Sequence, residues 1–248
     1  MSEPPTTQPK PGGGADFDDY RDSYREAIEQ SISFRGVDLD FFTRAKIRRL
    51  LDLAGRQLGP PGGLEVLDVG AGPGETDRLL HGHFGGLAGV DVAGRLLERA
   101  AEANPWVDYR SYGAGEPIPF DDGSFDLTFT ISVLHHVPVA DRTRFIAELG
   151  RVTREGGLVT IFEHNPWNPL TRRSVSNCEF DEGVVLLSRR RTTRLLAAGG
   201  LEPVESRYIV FFTREGELWQ RAERRLGWLP AGAQYYVAAR KPIAHERK

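Results

Sequence analysis

The sequence has little sulfur, with one cysteine and one methionine among its 248 residues. A single cysteine, Cys178, excludes a disulfide within the chain and any metal site made from clustered cysteines. We predict no metal ligands elsewhere in the sequence. One cysteine also fits a reducing compartment, so we expect the protein in the cytoplasm.

Long apolar runs and a large excess of one charge are also absent. No run of eighteen apolar residues occurs, and residues 1–7 lack the basic and apolar regions of a signal peptide. The formal net charge of −3 argues against a nucleic-acid-binding protein that relies on bulk charge. We therefore expect neither a membrane nor a nucleic acid as partner, and the oligomeric state stays open.

The length and the local composition predict one α/β domain between two tails. Tyr20 and Tyr24 recur at helical spacing and indicate helices before the first strand, where they either contact a ligand or pack on the sheet. The predicted parts in chain order are a disordered tail over 1–16, a single domain over 17–242 and a tail over 243–248. Within the domain they are N-terminal helices over 17–60, a ligand-binding core over 61–163, a substrate-covering segment over 164–189, and a helix with antiparallel strands over 190–242.

The most informative feature is an apolar strand that runs into three glycines. Val66, Leu67 and Val69 predict a buried parallel strand. The glycines that follow, Gly70, Gly72 and Gly74, allow a tight turn close to a ligand because they have no Cβ atoms. Residues 75–80 then begin a helix, whose free N–H groups would face that ligand.

The charges around this turn distinguish two classes of ligand. A dinucleotide loop of the form G-x-G-x-x-G needs glycine at position 75, where the chain has Glu75. A carboxylate there would lie near a pyrophosphate and oppose its binding. Asp68 adds a second carboxylate, which suits the ammonium and sulfonium groups of S-adenosylmethionine. The charges therefore favour that cofactor over NAD.

The ordered motifs resemble those of the class I S-adenosylmethionine-dependent methyltransferases. Asp68-x-Gly70-x-Gly72-x-Gly74 is similar to the first motif of that family, and Asp91 matches the acid that ends its second strand. Further segments at family spacing are the adenine loop and fourth strand over 113–127, the end of the fourth strand over 131–137, and a helix, glycine turn and fifth strand over 149–162. The set spans about 63–163 and is far more specific than one glycine loop.

This resemblance implies an α/β, Rossmann-like fold: a seven-stranded, mostly parallel sheet with an antiparallel last strand inserted between the fifth and sixth, helices on both faces and an N-terminal helical lid. It also implies S-adenosylmethionine as cofactor, with the Asp91 carboxylate accepting both ribose hydroxyls. An acid often found at the place of Ala114 is missing, so adenine recognition is expected from the backbone near Gly115 or from Glu116. The expected cofactor-binding residues are Asp68, Gly70, Ala71, Gly72, Gly74, Asp91, Val92, Gly115, Glu116, Ser132 and Tyr24.

Histidines follow two of the predicted strands, where ligands of doubly wound sheets bind. His164 is the first candidate for a general base that acts on the methyl acceptor, and His136 and His135 are the next. In the family, such histidines also pack or orient the pocket, and both interpretations stay open.

The sequence as a whole predicts an enzyme that transfers a methyl group from S-adenosylmethionine to an oxygen, nitrogen or carbon atom of a small-molecule acceptor. Two alternatives remain. One is a module that binds S-adenosylmethionine without catalysis, and the other, less favoured, is an NAD-dependent oxidoreductase.

Overall fold

The computed structural model describes residues 24–244; the predicted tail over 1–16, Tyr20 and positions 245–248 lie outside the described residues. The helices are α1 (Tyr24–Ile32), α2 (Leu39–Gln57), α3 (Glu75–Leu80), α4 (Gly94–Ala103), α5 (Arg142–Val152), α6 (Pro169–Ser176), α7 (Arg189–Ala198) and α8 (Glu217–Leu226). The strands are β1 (Glu65–Val69), β2 (Gly86–Asp91), β3 (Asp108–Ser111), β4 (Phe125–Ile131), β5 (Thr153–His164), β6 (Glu202–Ile209) and β7 (Gln234–Arg240). Short 3₁₀ turns lie at Ser33–Arg35, Pro61–Gly63 and Glu179–Asp181.

The strands form one sheet in the order β3-β2-β1-β4-β5-β7-β6. The pairs among β1 to β5 are parallel. β7 is antiparallel to both of its neighbours, β5 and β6. The predicted fold class is confirmed, including the antiparallel last strand between the fifth and sixth.

Both faces of the sheet are covered because successive side chains of a strand point to opposite sides. Val66 of β1 packs in one apolar cluster with Leu53 of α2. Its neighbour Leu67 packs in the other cluster with Ile146 of α5 and Leu196 of α7. Each strand of the sheet centre is therefore buried on both faces, which agrees with its nearly continuous apolar sequence.

Local sequence signals set the ends of several helices. Asp38 caps α2 by accepting a hydrogen bond from the Phe41 N–H at 2.8 Å. Ser188 caps α7 by accepting from the Arg191 N–H at 3.3 Å. No helix within residues 24–244 combines the length and the apolar character needed to cross a membrane.

A buried polar network supports the glycine turn from below. The Tyr109 hydroxyl donates to Asp77 Oδ2 at 2.6 Å, and the Asn104 amide donates to the Gly74 carbonyl at 3.0 Å. Gly74 has a φ of +75°, and a Cβ there would collide with the Asn104 amide. The last glycine of the turn is therefore needed for contact with α4 and β3.

Two neighbouring carboxyl groups of this network have raised pKa values. Burial raises the pKa of Asp77 to about 6, although hydrogen bonds from Tyr109 and Asp68 oppose the change. Burial and the charge of Asp77 raise the pKa of Asp68 well above its ordinary value, against the effect of Lys46. The pair therefore favours bound protons in the folded state.

We expect the core at α2 to carry a large part of the stability. Leu53 is fully buried, so Leu53→Ala leaves a cavity and should lower the free energy of unfolding by about 2–5 kcal/mol. Leu218 on α8 is 74% exposed and offers the same substitution as a control, with an expected change within about 0.5 kcal/mol. Urea unfolding of both variants measures the difference, and equal losses would contradict the assigned burial.

The buried carboxyl pair predicts a pH dependence of stability. Because the folded chain holds the Asp77 proton more tightly than the unfolded chain, this contribution is present below the ordinary pKa of 3.8 and is lost as the pH rises through about 6. The loss amounts to at most about 3 kcal/mol. Asp77→Asn keeps an acceptor for Tyr109 and removes the titration, so its free energy of unfolding should fall less between pH 4 and pH 7.

Chemical denaturation across this pH range compares the two proteins. The exposed Asp121→Asn variant serves as a control and should follow the wild-type profile. Parallel profiles for wild type and Asp77→Asn would show that Asp77 does not titrate in this range.

Candidate active site

The carboxyl ends of four parallel strands meet at one edge of the sheet. The turn after β1 is held there by the end of β2, because the N–H groups of Gly70 and Ala71 both donate to the Val90 carbonyl, at 2.8 and 3.1 Å. Gly70 has a φ of +84°, and a Cβ at this position would collide with the side chain of Val133. The turn therefore packs directly against the segment that follows β4.

Asp91 ends β2 and is oriented by two backbone hydrogen bonds. Its Oδ2 accepts from the Gly72 N–H at 2.8 Å, and its Oδ1 accepts from the Ala93 N–H at 2.9 Å. Each carboxylate oxygen can accept a second hydrogen bond. Asp91 lines a cavity, so a hydroxylated ligand there would meet a carboxylate already fixed in orientation.

The cavity beside Asp91 has a volume of about 370 Å³. Apolar side chains form much of its wall, and Gly115 and Glu116 border it. The Glu116 carboxylate accepts from the Gly113 N–H at 3.1 Å, which ties it to its own loop. The apolar lining residues include Leu96, Tyr112, Ile118 and Phe145. An apolar wall next to a fixed carboxylate fits the adenine and ribose of an adenosine.

A second cavity, of about 160 Å³, lies on the other side of the glycine turn. The two cavities share Tyr24, Gly70, Ser132 and His136, so they meet between the first glycine and the end of β4. The polar side chains on the second cavity are Lys46, Asp68, Glu75, His135, His136, His164 and Asp181, among others. The charged groups of an amino-acid ligand would find partners of both signs here.

Ser132 turns the chain at the junction of the two cavities. Its φ is 57°, in the left-handed region that costs a residue with a Cβ roughly 1–2 kcal/mol. A hydrogen bond from the Ser132 N–H to the Phe162 carbonyl, at 2.9 Å, holds this turn against β5. The conformation leads the chain directly into the two histidines.

A buried arginine fixes the backbone of the histidine segment. Arg142, only 2% exposed at the start of α5, donates to the carbonyls of Val137 at 2.9 Å and His135 at 3.3 Å. It also donates to the Val185 carbonyl at 3.1 Å. The segment after β4 is thereby joined to the segment before α7.

His135 is enclosed between two carboxylates. Its Nδ1 lies 2.6 Å from Glu163 Oε2, and its Nε2 lies 3.2 Å from Asp181 Oδ1. Burial alone lowers the pKa of His135, but the two carboxylates outweigh it and raise the value to about 10. The side chain has no exposed surface, so carboxylates occupy both ring nitrogens.

The pKa values of the other two histidines are lowered instead. Burial and then the charge of His135 lower the pKa of His136 to about 4, and the same causes lower that of His164 to about 4. Both rings line the second cavity as neutral imidazoles near neutral pH. The structure thus brings the three predicted histidines together, and the general-base role predicted for His164 stays a prediction.

Lys46 is a site residue that sequence reasoning missed. It is buried on α2, and burial lowers its pKa to about 8 although the carboxylates of Asp68 and Glu163 oppose the shift. The spacing of Phe42, Lys46 and Leu50 places a cation on the apolar stripe of the helix. A lysine within an apolar helical stripe was the sequence signal that could have identified Lys46 as a site residue.

Phe180 and Asp181 were also missed, and no periodic signal marks them. They belong to the 3₁₀ turn Glu179–Asp181, which closes over the second cavity. The Phe180 ring stacks on Tyr24 of α1 with centroids 5.1 Å apart. Tyr24 therefore lines both cavities and packs on Phe180, and its contact with a ligand stays a prediction.

The remaining predicted cofactor residues have different positions. Ala71 lines the second cavity, and Val92 lines the first. Gly72 contributes its N–H to the orientation of Asp91. Gly74 instead faces Asn104, beneath the turn.

The chain is similar to known methyltransferases in sequence and in fold. A family model described as a methyltransferase domain matches residues 67–161. The chain is 31% identical over 118 residues to a 2-methyl-6-phytyl-1,4-hydroquinone methyltransferase of Synechocystis sp., a match that covers 46% of this chain and 36% of that protein. It is 28% identical over 206 residues to a 27-O-demethylrifamycin SV methyltransferase of Amycolatopsis mediterranei, covering 77% and 72% of the two chains.

Among solved structures, the chain is similar to a methyltransferase of Thermotoga maritima described as a possible histamine N-methyltransferase. The TM-score is 0.63 at 19% identity, over 91% of this chain and 98% of that one. At this identity the likeness concerns the fold. The matching domain model and the named relatives make residues 67–161 a methyltransferase domain, similar to those of the class I S-adenosylmethionine-dependent methyltransferases.

Proposed function

We propose that the chain binds S-adenosylmethionine across the two cavities and transfers its methyl group to an oxygen, nitrogen or carbon atom of a small-molecule acceptor, releasing S-adenosylhomocysteine. The observation that carries this proposal is the Asp91 carboxylate, held by the N–H groups of Gly72 and Ala93 at the edge of an apolar cavity. Such a carboxylate suits the two ribose hydroxyls of an adenosine.

The charges beyond the glycine turn support a cofactor with an amino-acid end. Asp68 suits its ammonium group, and the buried Lys46 suits its carboxylate. Glu75, at the start of α3, already accepts a hydrogen bond from Arg25 Nη1 at 2.8 Å. A pyrophosphate at this helix end would meet that carboxylate, which disfavours the NAD alternative.

S-adenosylmethionine supplies a methyl group activated by the positive sulfur. The residues of this chain then have to align the acceptor for an in-line attack, which is worth roughly 7–11 kcal/mol by proximity and orientation. We assign this task to the second cavity, where the neutral rings of His136 and His164 can accept hydrogen bonds from an acceptor hydroxyl or amine.

A small acceptor is supported by the relatives, whose names specify a hydroquinone and a rifamycin precursor. The second cavity, of about 160 Å³, has room for a small group rather than a polymer. We also propose a cytoplasmic location, on the argument that a chain with one cysteine fits a reducing compartment.

Calorimetric titration tests the cofactor. We expect S-adenosylmethionine and S-adenosylhomocysteine to bind with micromolar affinity and NAD not to bind. Asp91→Ala removes the acceptor of the ribose hydroxyls and should weaken S-adenosylhomocysteine by about 100-fold or more, since each hydrogen bond to a charged group contributes about 1.5–3 kcal/mol. Asp91→Asn retains one oxygen and should lose less affinity for S-adenosylhomocysteine.

The exposed Asp121→Ala variant is the matched control and should bind as the wild type does. Absence of binding by the wild type, or equal affinity in Asp91→Ala, would contradict the proposed cofactor site. Binding without S-adenosylhomocysteine production across a panel of hydroxylated and amino acceptors would favour the non-catalytic alternative.

A further inference from the structure

The histidine segment and the 3₁₀ turn bring three potential metal ligands together at the second cavity. Asp181 Oδ1 lies 3.2 Å from His135 Nε2 and 3.3 Å from His136 Nε2. All three ligand atoms lie within 4.8 Å of one another. The two segments that supply these residues are about 45 positions apart in the sequence, and the fold brings them together.

Two of these separations match those of atoms around a metal ion. Ligands about 2.1 Å from one ion lie roughly 3.0–3.4 Å apart at octahedral or tetrahedral angles. The two distances to Asp181 are of this size. Two imidazoles and one carboxylate form the ligand set typical of divalent transition metals, while Mg²⁺ favours a full set of oxygens.

Glu163 supplies the outer contact that such a site needs. Its Oε2 lies 2.6 Å from His135 Nδ1. An imidazole that donates Nδ1–H to a carboxylate directs the lone pair of Nε2 at the metal, and such partners fix the ring orientation. Glu163 Oε1 also accepts from the His135 backbone N–H at 3.3 Å, which holds the carboxylate in place.

The candidate site opens on the cavity assigned to the methyl acceptor. Asp181 and His136 are 10% and 19% exposed and line the cavity, whereas Glu163 is enclosed. Three protein ligands leave further coordination positions, as in catalytic metal sites. Because the three ligand residues line the second cavity, an acceptor in that cavity would lie beside the ion.

We propose that His135 Nε2, His136 Nε2 and Asp181 Oδ1 bind a divalent transition metal ion, with Glu163 orienting His135. On binding, the ion displaces the proton that His135 Nε2 otherwise donates to Asp181, and this proton passes to solvent. This binding does not depend on the proposed methyl transfer. The consequence for the acceptor rests on the proposed function: an oxygen of the acceptor coordinates the ion. The class of acceptor is then a hydroxyl compound.

Coordination would make that oxygen a better nucleophile because a metal ion lowers the pKa of a bound hydroxyl. The acceptor hydroxyl loses its proton to solvent as it binds. Its oxygen then forms a bond to the methyl carbon while the bond between that carbon and sulfur breaks. The products are the methyl ether and neutral S-adenosylhomocysteine, and no oxidant or reductant is consumed.

Metal titration of the full chain, freed of metal with a chelator and lacking any histidine tag, tests the site without cofactor or acceptor. Calorimetry with Zn²⁺ and visible absorption with Co²⁺ should each report one equivalent bound, and Mg²⁺ should not displace Co²⁺. Asp181→Asn and His136→Ala should weaken Co²⁺ by at least about 100-fold. Glu163→Gln should weaken it by about 10–100-fold.

The exposed neighbour Glu182 and the exposed His83 provide matched controls, and Glu182→Gln and His83→Ala should bind Co²⁺ as the wild type does. Thermal unfolding verifies that each variant is folded. Failure of the wild type to bind Zn²⁺ and Co²⁺, or equal binding by folded Asp181→Asn and His136→Ala, would overturn the metal site. If the metal site is overturned but the wild type binds S-adenosylhomocysteine, the proposed function still stands. If the wild type binds metal but not the cofactor, the metal site stands and the proposed function is contradicted.

Discussion

The hydrogen-bonded connection between the turn after β1 and the end of β2 is the constraint on which the site depends. The N–H groups of Gly70 and Ala71 donate to Val90, and the Gly72 N–H donates to Asp91. These bonds require the backbone to approach β2 closely, and at Gly70 they require a left-handed conformation with no room for a Cβ. The same turn divides the two cavities and begins α3.

At the acceptor end, the organising constraint is the cost of burying charge. Removing a carboxylate from water costs several kcal/mol unless a partner compensates it. Glu163 and Asp181 are compensated by the imidazolium of His135, and Lys46 lies close enough to influence both Asp68 and Glu163. The positive charge on His135 in turn keeps its two neighbouring histidines neutral. The second cavity is therefore lined by paired charged side chains together with the neutral rings of His136 and His164.

Much of the fold was predictable because its signals are local. An apolar strand, a glycine turn and a helix start lie within about fifteen residues, and Ser188 caps α7 from the adjacent position. Asp91 was predictable because the acid ends a strand at a characteristic place in an ordered set of motifs. Lys46, Phe180 and Asp181 were not predicted, because α2 and the 3₁₀ turn approach the cavity through packing between distant segments. Gly74 was assigned to cofactor binding, while its Cβ position faces Asn104 beneath the turn.

The sequence by itself determined the strand and helix order, the glycine turn, the acid at the end of β2 and, through its resemblance, the cofactor class. Those properties depend on residues close together in the chain, where spacing, capping and backbone freedom act directly. Only the tertiary structure decided that His135 would lie between Glu163 and Asp181, and that Lys46 and Asp68 would line the same cavity. The charge state and ligand geometry of these groups depend on distances of a few ångströms between separate elements, and packing of the sheet and its covering helices sets those distances.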